Sequence, residues 1–230
     1  MRQKERKQMS ESMLLAVFLT LAGGFQDAYS YNCRDKVFAN AQTGNIVLLG
    51  QNLAQGNWEA AVRYLVPLGA FLLGVYVTEW VHYHYKEYEK IHWRQMVLLA
   101  ETVILIAVGF FPQSWNMFAN GILSFACAMQ VNSFRKFRGI PCATTMCIGN
   151  MRSGTEYLCR YHLTKDPQMK KKSVHYYTII LIFAVGAAWG ALASNTLGEK
   201  AIWISAVFLV LGFLLMFLKE DLGLISRQEK

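Results

Sequence analysis

Two long stretches of this sequence carry no charge, and they limit its fold more than any other feature. Residues 103–127 and 201–218 contain no Lys, Arg, Asp or Glu. In an α-helix, about 20 apolar residues cross the hydrocarbon core of a bilayer, which is about 30 Å thick. Only 17% of the 230 residues are charged, whereas a soluble domain carries about 25%. The sequence therefore predicts an all-α integral membrane protein.

Six segments are apolar enough and long enough to be predicted as membrane-spanning helices. Tryptophans lie near the ends of several of them, as is usual at the membrane interface. A turn containing Pro112 and Trp115 joins the third and fourth segments, and a turn containing Gly198 joins the last two. The predicted spans are residues 13–31, 61–81, 95–111, 115–131, 176–194 and 201–218.

Two further segments, residues 37–54 and 142–161, are too polar to be predicted as full spans. Each is expected to form a short helix that enters the membrane only partway. Such segments are tolerated where their backbone is buried in protein or lines a cavity. We interpret the whole chain, residues 1–230, as a single transmembrane domain.

The basic residues are distributed unevenly around the predicted spans. With six spans, 19 of the 23 Lys and Arg residues lie on the side of both chain ends, and 4 lie on the other side. Because basic loops stay in the cytoplasm, both termini are predicted to be cytoplasmic and the protein to lie in the cell membrane. This placement explains the net charge of +8 without a nucleic-acid partner. Lys170, Lys171 and Lys172 are expected to fix the orientation and to contact anionic membrane lipid.

The two halves of the chain resemble each other weakly. Gln26 and Gln130 lie late in the first and fourth predicted spans, and a Gly-Asn pair follows each of them at residues 44–45 and 149–150. Since each half crosses the membrane three times, the second is predicted to be inverted relative to the first. Such 3+3 inverted repeats occur in many transporters, which bind their solutes near the middle of the membrane. The predicted repeats are residues 13–111 and 115–218.

Paired glycines lie in the predicted span that follows each Gly-Asn pair. They are Gly69 and Gly74 in the first half, and Gly186 and Gly190 in the second half. Small residues at helical spacing let membrane helices approach each other closely. These glycines are therefore expected at helix–helix contacts.

The segment AQTGNIVLLG at residues 41–50, following GGFQDA at residues 23–28, resembles the YoaK family, which is also called DUF1275. The resemblance covers nearly the whole chain. It departs in the second half, where Ile148 stands in place of the Thr that usually precedes Gly149. The resemblance implies a small protein of the bacterial inner membrane, but it implies no activity.

The Gly-Asn segments are the first candidates for a binding site. Thr43, Gly44 and Asn45 are predicted to start a half-helix whose free N–H groups and positive dipole end face the protein interior. The alternative is that Asn45 caps a helix and Gly44 permits a turn. The same two interpretations apply to Gly149 and Asn150.

Ionisable and amide side chains within the predicted spans are the second group of candidates. Asp27 and Glu101 lie at membrane depth, where such groups usually serve function or form pairs. For Asp27 the alternative is an interfacial ion pair with the nearby Arg34 or Lys36. Gln26 and Gln130 are predicted either to line a polar path or to join helices by hydrogen bonds.

These patterns favour a small secondary transporter or channel-like permease for a small polar or anionic solute. The alternative is a non-transporting membrane protein that binds lipid or scaffolds a partner. A polar cavity reaching the middle of the membrane would distinguish the two. The sequence contains no motif for catalysis and no CxxC pair among its five cysteines, so that neither an enzyme, a metal site nor a cofactor is predicted. A bundle of six helices is small, which favours a homodimer.

Overall fold

Eight α-helices and one short β-ribbon form the described part of the chain, residues 12–85 and 93–216, in a computed structural model. The all-α prediction is confirmed apart from the ribbon, in which β1 (Lys136–Phe137) pairs with β2 (Ile140–Pro141) in antiparallel register. The helices are α1 Met13–Cys33, α2 Gln42–Ala54, α3 Trp58–Tyr85, α4 Trp93–Val108, α5 Asn116–Ser133, α6 Cys147–Thr164, α7 Pro167–Leu197 and α8 Ile202–Leu215.

All six predicted spans fall on helices, namely α1, α3, α4, α5, α7 and α8. Three stretches are long and apolar enough to cross a membrane: Met13–Cys33, Trp58–Tyr85 and Pro167–Leu215, which combines α7 and α8. These stretches are compatible with a membrane protein. α4 has only 16 residues, and six crossings remain a prediction. The chain ends, residues 1–11 and 217–230, lie outside the described residues.

Several helix ends follow from the local sequence. α1 begins after Ser12, whose Oγ accepts a hydrogen bond from a backbone N–H of the first turn at 3.1 Å, as serine commonly does at this position. α7 begins with Pro167 after Asp166, whose carboxylate accepts a backbone hydrogen bond at 2.8 Å. α7 ends at Gly198, whose φ of +57° is unfavourable for residues with a side chain. The predicted turn at Gly198 is confirmed.

α1 and α7 pack closely and run in the same direction. A Cβ atom at Gly190 would lie 2.6 Å from Phe25 O, and one at Gly186 would overlap Leu21 O. Because residue numbers rise together along both helices, the pair is parallel. Glycine is required here because any side chain would separate the two backbones.

α3 and α5 form a second parallel pair of the same kind. A Cβ atom at Gly74 would lie 2.5 Å from Phe125 O, and Gly121 lies against Val66. The predicted close packing is therefore confirmed for Gly74 and for both glycines of α7. It is wrong for Gly69, where an added Cβ would meet no described atom within 4 Å.

The first helices of the two halves, α1 and α5, run in opposite directions. Gln130 Nε2 donates a hydrogen bond to Leu19 O at 3.2 Å, near the start of α1 and the end of α5. Asn120 Nδ2 donates to Arg34 O at 2.7 Å, just beyond the end of α1 and near the start of α5. Residue numbers therefore fall along α5 as they rise along α1.

Polar side chains lie inside this bundle, while many apolar side chains face outward. Gln26, Arg34 and Glu101 are completely buried, whereas Leu72 and Tyr76 of α3 are 70% and 72% exposed. In soluble proteins, Arg and Glu side chains are almost never fully buried unless they are paired. In lipid, the apolar surroundings remove the advantage of hiding apolar side chains. This distribution supports the membrane-protein interpretation.

Candidate functional site

The residues that precede α2 lie against the middle of α1 and of α5. Asn40 Nδ2 donates to Gly23 O at 3.0 Å, and Asn40 N–H donates to Asp27 Oδ1 at 2.7 Å. From α5, Ser124 Oγ donates to Ala39 O at 3.0 Å. α2 therefore begins at the depth of the bundle's centre rather than at one of its ends.

The residues that precede α6 reach the same region. Gln130 Nε2 donates to Thr144 Oγ1 at 2.8 Å. The Thr145 methyl group occupies the place where a side chain at Gly23 would lie, since a Cβ there would be 2.8 Å from Thr145 Cγ2. The starts of both short helices thus converge beside Gly23, halfway along α1.

Asn45 and Asn150 hold these two starts by the same arrangement of hydrogen bonds. Asn45 accepts from Phe38 N–H at 3.1 Å and donates to Phe38 O at 2.8 Å. Asn150 accepts from Ala143 N–H at 3.3 Å and donates to Ala143 O at 2.7 Å. In each case the side chain bonds both backbone groups of the residue seven positions earlier. Both carboxamides are therefore engaged in shaping the loop in this conformation.

The other members of the Gly-Asn segments are more accessible. Thr43 and Gly149 are exposed, and Gly44 is half-buried. A Cβ atom at Gly44 would lie 3.2 Å from the Phe38 ring, whereas one at Gly149 would meet no described atom within 4 Å. Gly44 thus supports packing on the preceding loop, and Gly149 leaves open space at the start of α6.

A buried polar cluster lies where α1, α4, α5 and α8 meet. Gln26 Nε2 donates to Ser205 Oγ at 3.2 Å and makes a long contact of 3.5 Å with Glu101 Oε1. Cys127 Sγ donates to Gln26 Oε1 at 3.0 Å. All four residues are completely buried. We call Gln26, Glu101, Cys127 and Ser205 the Gln26 cluster. Two of its members, Gln26 and Glu101, are predicted site residues that lie 75 positions apart in the sequence.

The two predicted acidic residues have different surroundings. Within residues 12–85 and 93–216, Glu101 Oε2 has no hydrogen-bond partner and no ion pair involves this carboxyl group. Asp27 instead faces the backbone N–H groups of Ala39, Asn40 and Ala41, at the start of α2. The carboxyl group of Asp27 therefore orients a helix start, while that of Glu101 is left largely uncompensated.

Gln130 occupies a position in α5 that corresponds to Gln26 in α1. Its Nε2 joins α5 both to Leu19 O and to Thr144 Oγ1. Its Oε1 is buried and has no partner among the described residues. The prediction that these glutamines join helices is confirmed by the bonds of both, and the polar-path interpretation remains a prediction.

Arg34 is a central residue that sequence reasoning missed. Its side chain is completely buried, and its guanidinium donates only to uncharged oxygen atoms, so the ion pair with Asp27 does not form. Most of these oxygens lie at the carboxyl end of α4 and in the following turn, where the helix dipole is negative. The acceptors are Val108 O and Phe111 O at 3.0 Å, Asn116 Oδ1 at 2.9 Å, Pro112 O at 3.4 Å and Tyr29 Oη at 3.0 Å.

The family described as "Protein of unknown function (DUF1275)" matches residues 15–215. The chain belongs to the DUF1275 family. The match includes seven helices in full and all of α1 except its first two residues, and it confirms the resemblance to DUF1275 seen at residues 23–28 and 41–50. No curated protein and no solved structure was found to match the DUF1275 chain.

Two of the clefts on the described surface of this DUF1275 protein contain no residue of the Gln26 cluster. The larger one has a volume of about 400 Å³, and we call it the Asp35 cleft. Its wall includes Asn116, which binds Arg34, so the Arg34 network forms part of its floor. The smaller cleft, of about 330 Å³, is mostly apolar and contains Phe25 and Trp189. The Asp35 cleft is lined by Asp35, Glu59, Val62, Arg63, Gln113, Ser114, Asn116 and Met117.

Residues 12–85 and 93–216 contain no group of three or more His, Cys, Asp or Glu side chains placed to hold a metal ion. All five cysteines are free thiols. The buried side chains offer hydrogen bonding by amides and hydroxyls, the carboxyl groups of Asp27 and Glu101, and the guanidinium group of Arg34.

Proposed function

We propose that this protein is a small secondary transporter or channel-like permease for a small polar or anionic solute. The observation that carries the proposal is the Gln26 cluster, in which the Glu101 carboxyl is completely buried with one oxygen unpartnered. Ionisable groups inside membrane bundles are costly and usually belong to a path for solutes or ions. A role in packing alone would be served as well by apolar side chains of similar volume.

A 3+3 inverted repeat of residues 13–111 and 115–218 is part of the proposal. Each helix contact in one half has a counterpart in the other half. α1 packs on α7, and its counterpart α5 packs on α3. α2 packs on α3, and its counterpart α6 packs on α7. The opposite directions of α1 and α5 fit an inversion, because a parallel repeat would align them. We therefore propose six crossings, with α2 and α6 entering the membrane partway from opposite sides.

The start of α6 favours a solute with negative charge or several hydrogen-bond acceptors, whereas the start of α2 already faces the Asp27 carboxyl group. Helix N-termini carry partial positive charge and free N–H groups, and both starts lie beside Gly23. In this proposal Glu101 carries a proton or cation, while Asp27, Asn45 and Asn150 position the helix starts. The proposed binding region comprises Gln26, Asp27, Thr43, Gly44, Asn45, Glu101, Gln130, Gly149 and Asn150.

The proposed location is the cell membrane, with both chain ends in the cytoplasm. The uneven distribution of Lys and Arg supports this orientation. It places the Asp35 cleft and the Arg34 network on the outer side, and the hairpin between α6 and α7 on the cytoplasmic side. In the present conformation the outer route to the Gln26 cluster would then be closed by the Arg34 network.

Cys127 allows a direct test of whether the Gln26 cluster opens to water. A variant with Cys127 as its only cysteine is reconstituted into vesicles and treated with a small methanethiosulfonate reagent. Labelling is followed by mass spectrometry. If the binding region opens during transport, the buried Cys127 thiol is labelled under native conditions, and a transported solute slows the labelling.

Cys142 supplies the matched control, because it is 7% exposed and lies outside the Gln26 cluster. Its Sγ is 3.5 Å from His175 Nε2. In a variant with Cys142 as its only cysteine, labelling should require unfolding. If the Cys127 and Cys142 thiols are labelled equally slowly, at the rate at which the protein unfolds, the transport proposal is contradicted.

The solute itself can be found by thermal stabilisation of the purified protein. A solute at about 100 times its Kd stabilises the folded state by about 2.7 kcal/mol. Glu101→Gln keeps the shape of the side chain but removes its titratable proton. A transported solute should stabilise the wild type, and the variant should show weaker or pH-independent stabilisation. Identical responses of the two proteins would exclude Glu101 from the binding region.

The alternative function is a non-transporting protein that binds lipid or scaffolds a partner. It is favoured by one observation, since neither described cleft reaches the Gln26 cluster. In a scaffold, the Cys127 thiol would stay unreactive in every condition that preserves the fold. The labelling experiment therefore separates the two functions.

A further inference from the structure

The hairpin between α6 and α7 is held together independently of the Gln26 cluster. Ser173 Oγ of α7 donates to Gly154 O of α6 at 2.9 Å. The ring of Tyr157 stacks on that of Tyr176, with 6.0 Å between centroids. Only Lys165 and Asp166 connect the two helices. The hairpin tip is thus a fixed surface on which the positions of side chains are defined.

Positive charge is concentrated at this tip. Four lysines, Lys165, Lys170, Lys171 and Lys172, lie within eight residues, and the one acidic residue among them, Asp166, caps α7. Arg160 nearby is paired with Glu156 at 2.5 Å. In the part of the chain that the structure describes, no ion pair neutralises the four lysines. The tip therefore attracts anions.

Two tyrosine rings hold lysines of the tip. Lys172 Nζ lies 5.0 Å from the centroid of the Tyr157 ring, and Lys170 Nζ lies 5.7 Å from that of the Tyr161 ring. Such cation–π contacts restrict the long side chains and keep their ammonium groups close to the hairpin. Tyrosine itself favours the region between water and hydrocarbon.

The lysines also lie at the edge of the apolar outer surface. Val174, two residues after Lys172, is 54% exposed, and Leu181 further along α7 is 66% exposed. Leu163 at the end of α6 is 80% exposed. At about 1.5 Å per residue along a helix, Lys172 lies about 3 Å from Val174 along the axis of α7. If this apolar surface faces lipid tails, the lysines lie at the level of the phospholipid headgroups.

We propose that the tip of the α6–α7 hairpin is a binding site for the headgroup of an anionic phospholipid, whose phosphate is attracted by the combined positive charge of Lys165, Lys170, Lys171 and Lys172. The exposed apolar residues beside the lysines pack against the acyl chains of the same lipid. The site is separate from the Gln26 cluster, and it does not depend on whether the protein transports a solute.

Native mass spectrometry of the purified full-length protein tests the site. The protein is mixed with equal amounts of phosphatidylglycerol and phosphatidylcholine that have the same acyl chains. The wild type should retain phosphatidylglycerol preferentially. The variant K170Q/K171Q/K172Q should lose this preference by about 10- to 100-fold, since each lysine near an anionic surface contributes substantially to the affinity. K170R/K171R/K172R, which keeps the charge, should bind like the wild type.

The control variant K4Q/R6Q/K7Q removes the same number of charges from a segment predicted to lie on the same side. It should keep the preference for phosphatidylglycerol. Thermal unfolding in detergent establishes that each variant is folded. The proposal is overturned if the triple glutamine variant at the hairpin keeps the preference, or if the amino-terminal variant loses it equally. Release of the lipid by millimolar inorganic phosphate would assign the site to free phosphate instead.

Discussion

Replacing Arg34 with methionine removes every hydrogen bond that the guanidinium donates while keeping an unbranched side chain in its place. Of the five acceptors, only Asn116 Oδ1 belongs to a buried residue and has no second donor among the described residues. Val108 O keeps a hydrogen bond from Phe111 N–H at 3.1 Å. Pro112 is exposed and Phe111 is half-buried, so that water replaces arginine at their carbonyls. Tyr29 Oη keeps its bond to Glu199 O at 2.9 Å. The variant therefore leaves one buried acceptor without a donor.

An unsatisfied buried acceptor costs about 1–3 kcal/mol, so Arg34→Met should lower the free energy of unfolding by about 1–3 kcal/mol. Part of this loss is offset, because the variant no longer buries a charge. We expect a net loss of about 1.5 kcal/mol, which lowers the Tm of a chain of this length by roughly 3–6 °C. Arg34→Lys keeps the charge but has three donors in place of five, so the Tm of this variant should lie between that of the wild type and that of Arg34→Met.

Thermal unfolding in detergent, followed by circular dichroism, measures these differences. Arg63→Met is the matched control, because Arg63 pairs with Glu59 at 3.3 Å on the surface, where their side chains are 46% and 91% exposed. Exposed pairs of this kind contribute about 0–1 kcal/mol. A Tm of the Arg34→Met variant within about 2 °C of the wild type would refute the assignment of Arg34 as a structural centre.

Three further expectations test the packing, the loops and the orientation. Gly74→Leu should prevent α3 and α5 from packing and greatly reduce the yield of folded protein, whereas Gly69→Leu should be tolerated; similar yields would contradict the close contact. Asn150→Ala should lower the free energy of unfolding by about 1–3 kcal/mol, as measured by thermal unfolding, and an unchanged Tm would show that its loop needs no such support. In a cysteine-free background, an impermeant thiol reagent applied to intact cells should label a cysteine at Lys200 and not at Lys171; the reverse pattern would invert the proposed topology.

The helices of this protein were predictable because their determinants are local. Apolar runs, the cap at Ser12, the Pro167 start and the Gly198 end each act within a few residues. Close packing at Gly74 and Gly190 was also predictable from small residues at helical spacing. Gly69 has the same local pattern but faces away from α5, because the direction of a residue around a helix axis depends on which neighbour the helix meets.

The candidate site was predictable only in part. Asp27 and Glu101 stand out as acidic residues in apolar segments, and Gln26 stands out as an amide. Their different environments depend on which loop or helix packs beside them, and those partners are distant in sequence. Arg34 was missed because most of its acceptors are backbone carbonyls, which leave no signature in a sequence. Charge counting places such an arginine in a loop, whereas the structure places it in the bundle.

The pairing of α1 with α7 also affects how the chain is made. About 130 residues separate the end of α1 from the start of α7, and a ribosome adds about 5–20 residues per second. α1 is therefore synthesised roughly 5–30 s before the helix whose glycines fit its backbone. During that interval its amide and carboxyl side chains must be accommodated by lipid or by the insertion machinery. The two halves of the protein consequently mature together, because the core of the first half is closed by a helix of the second.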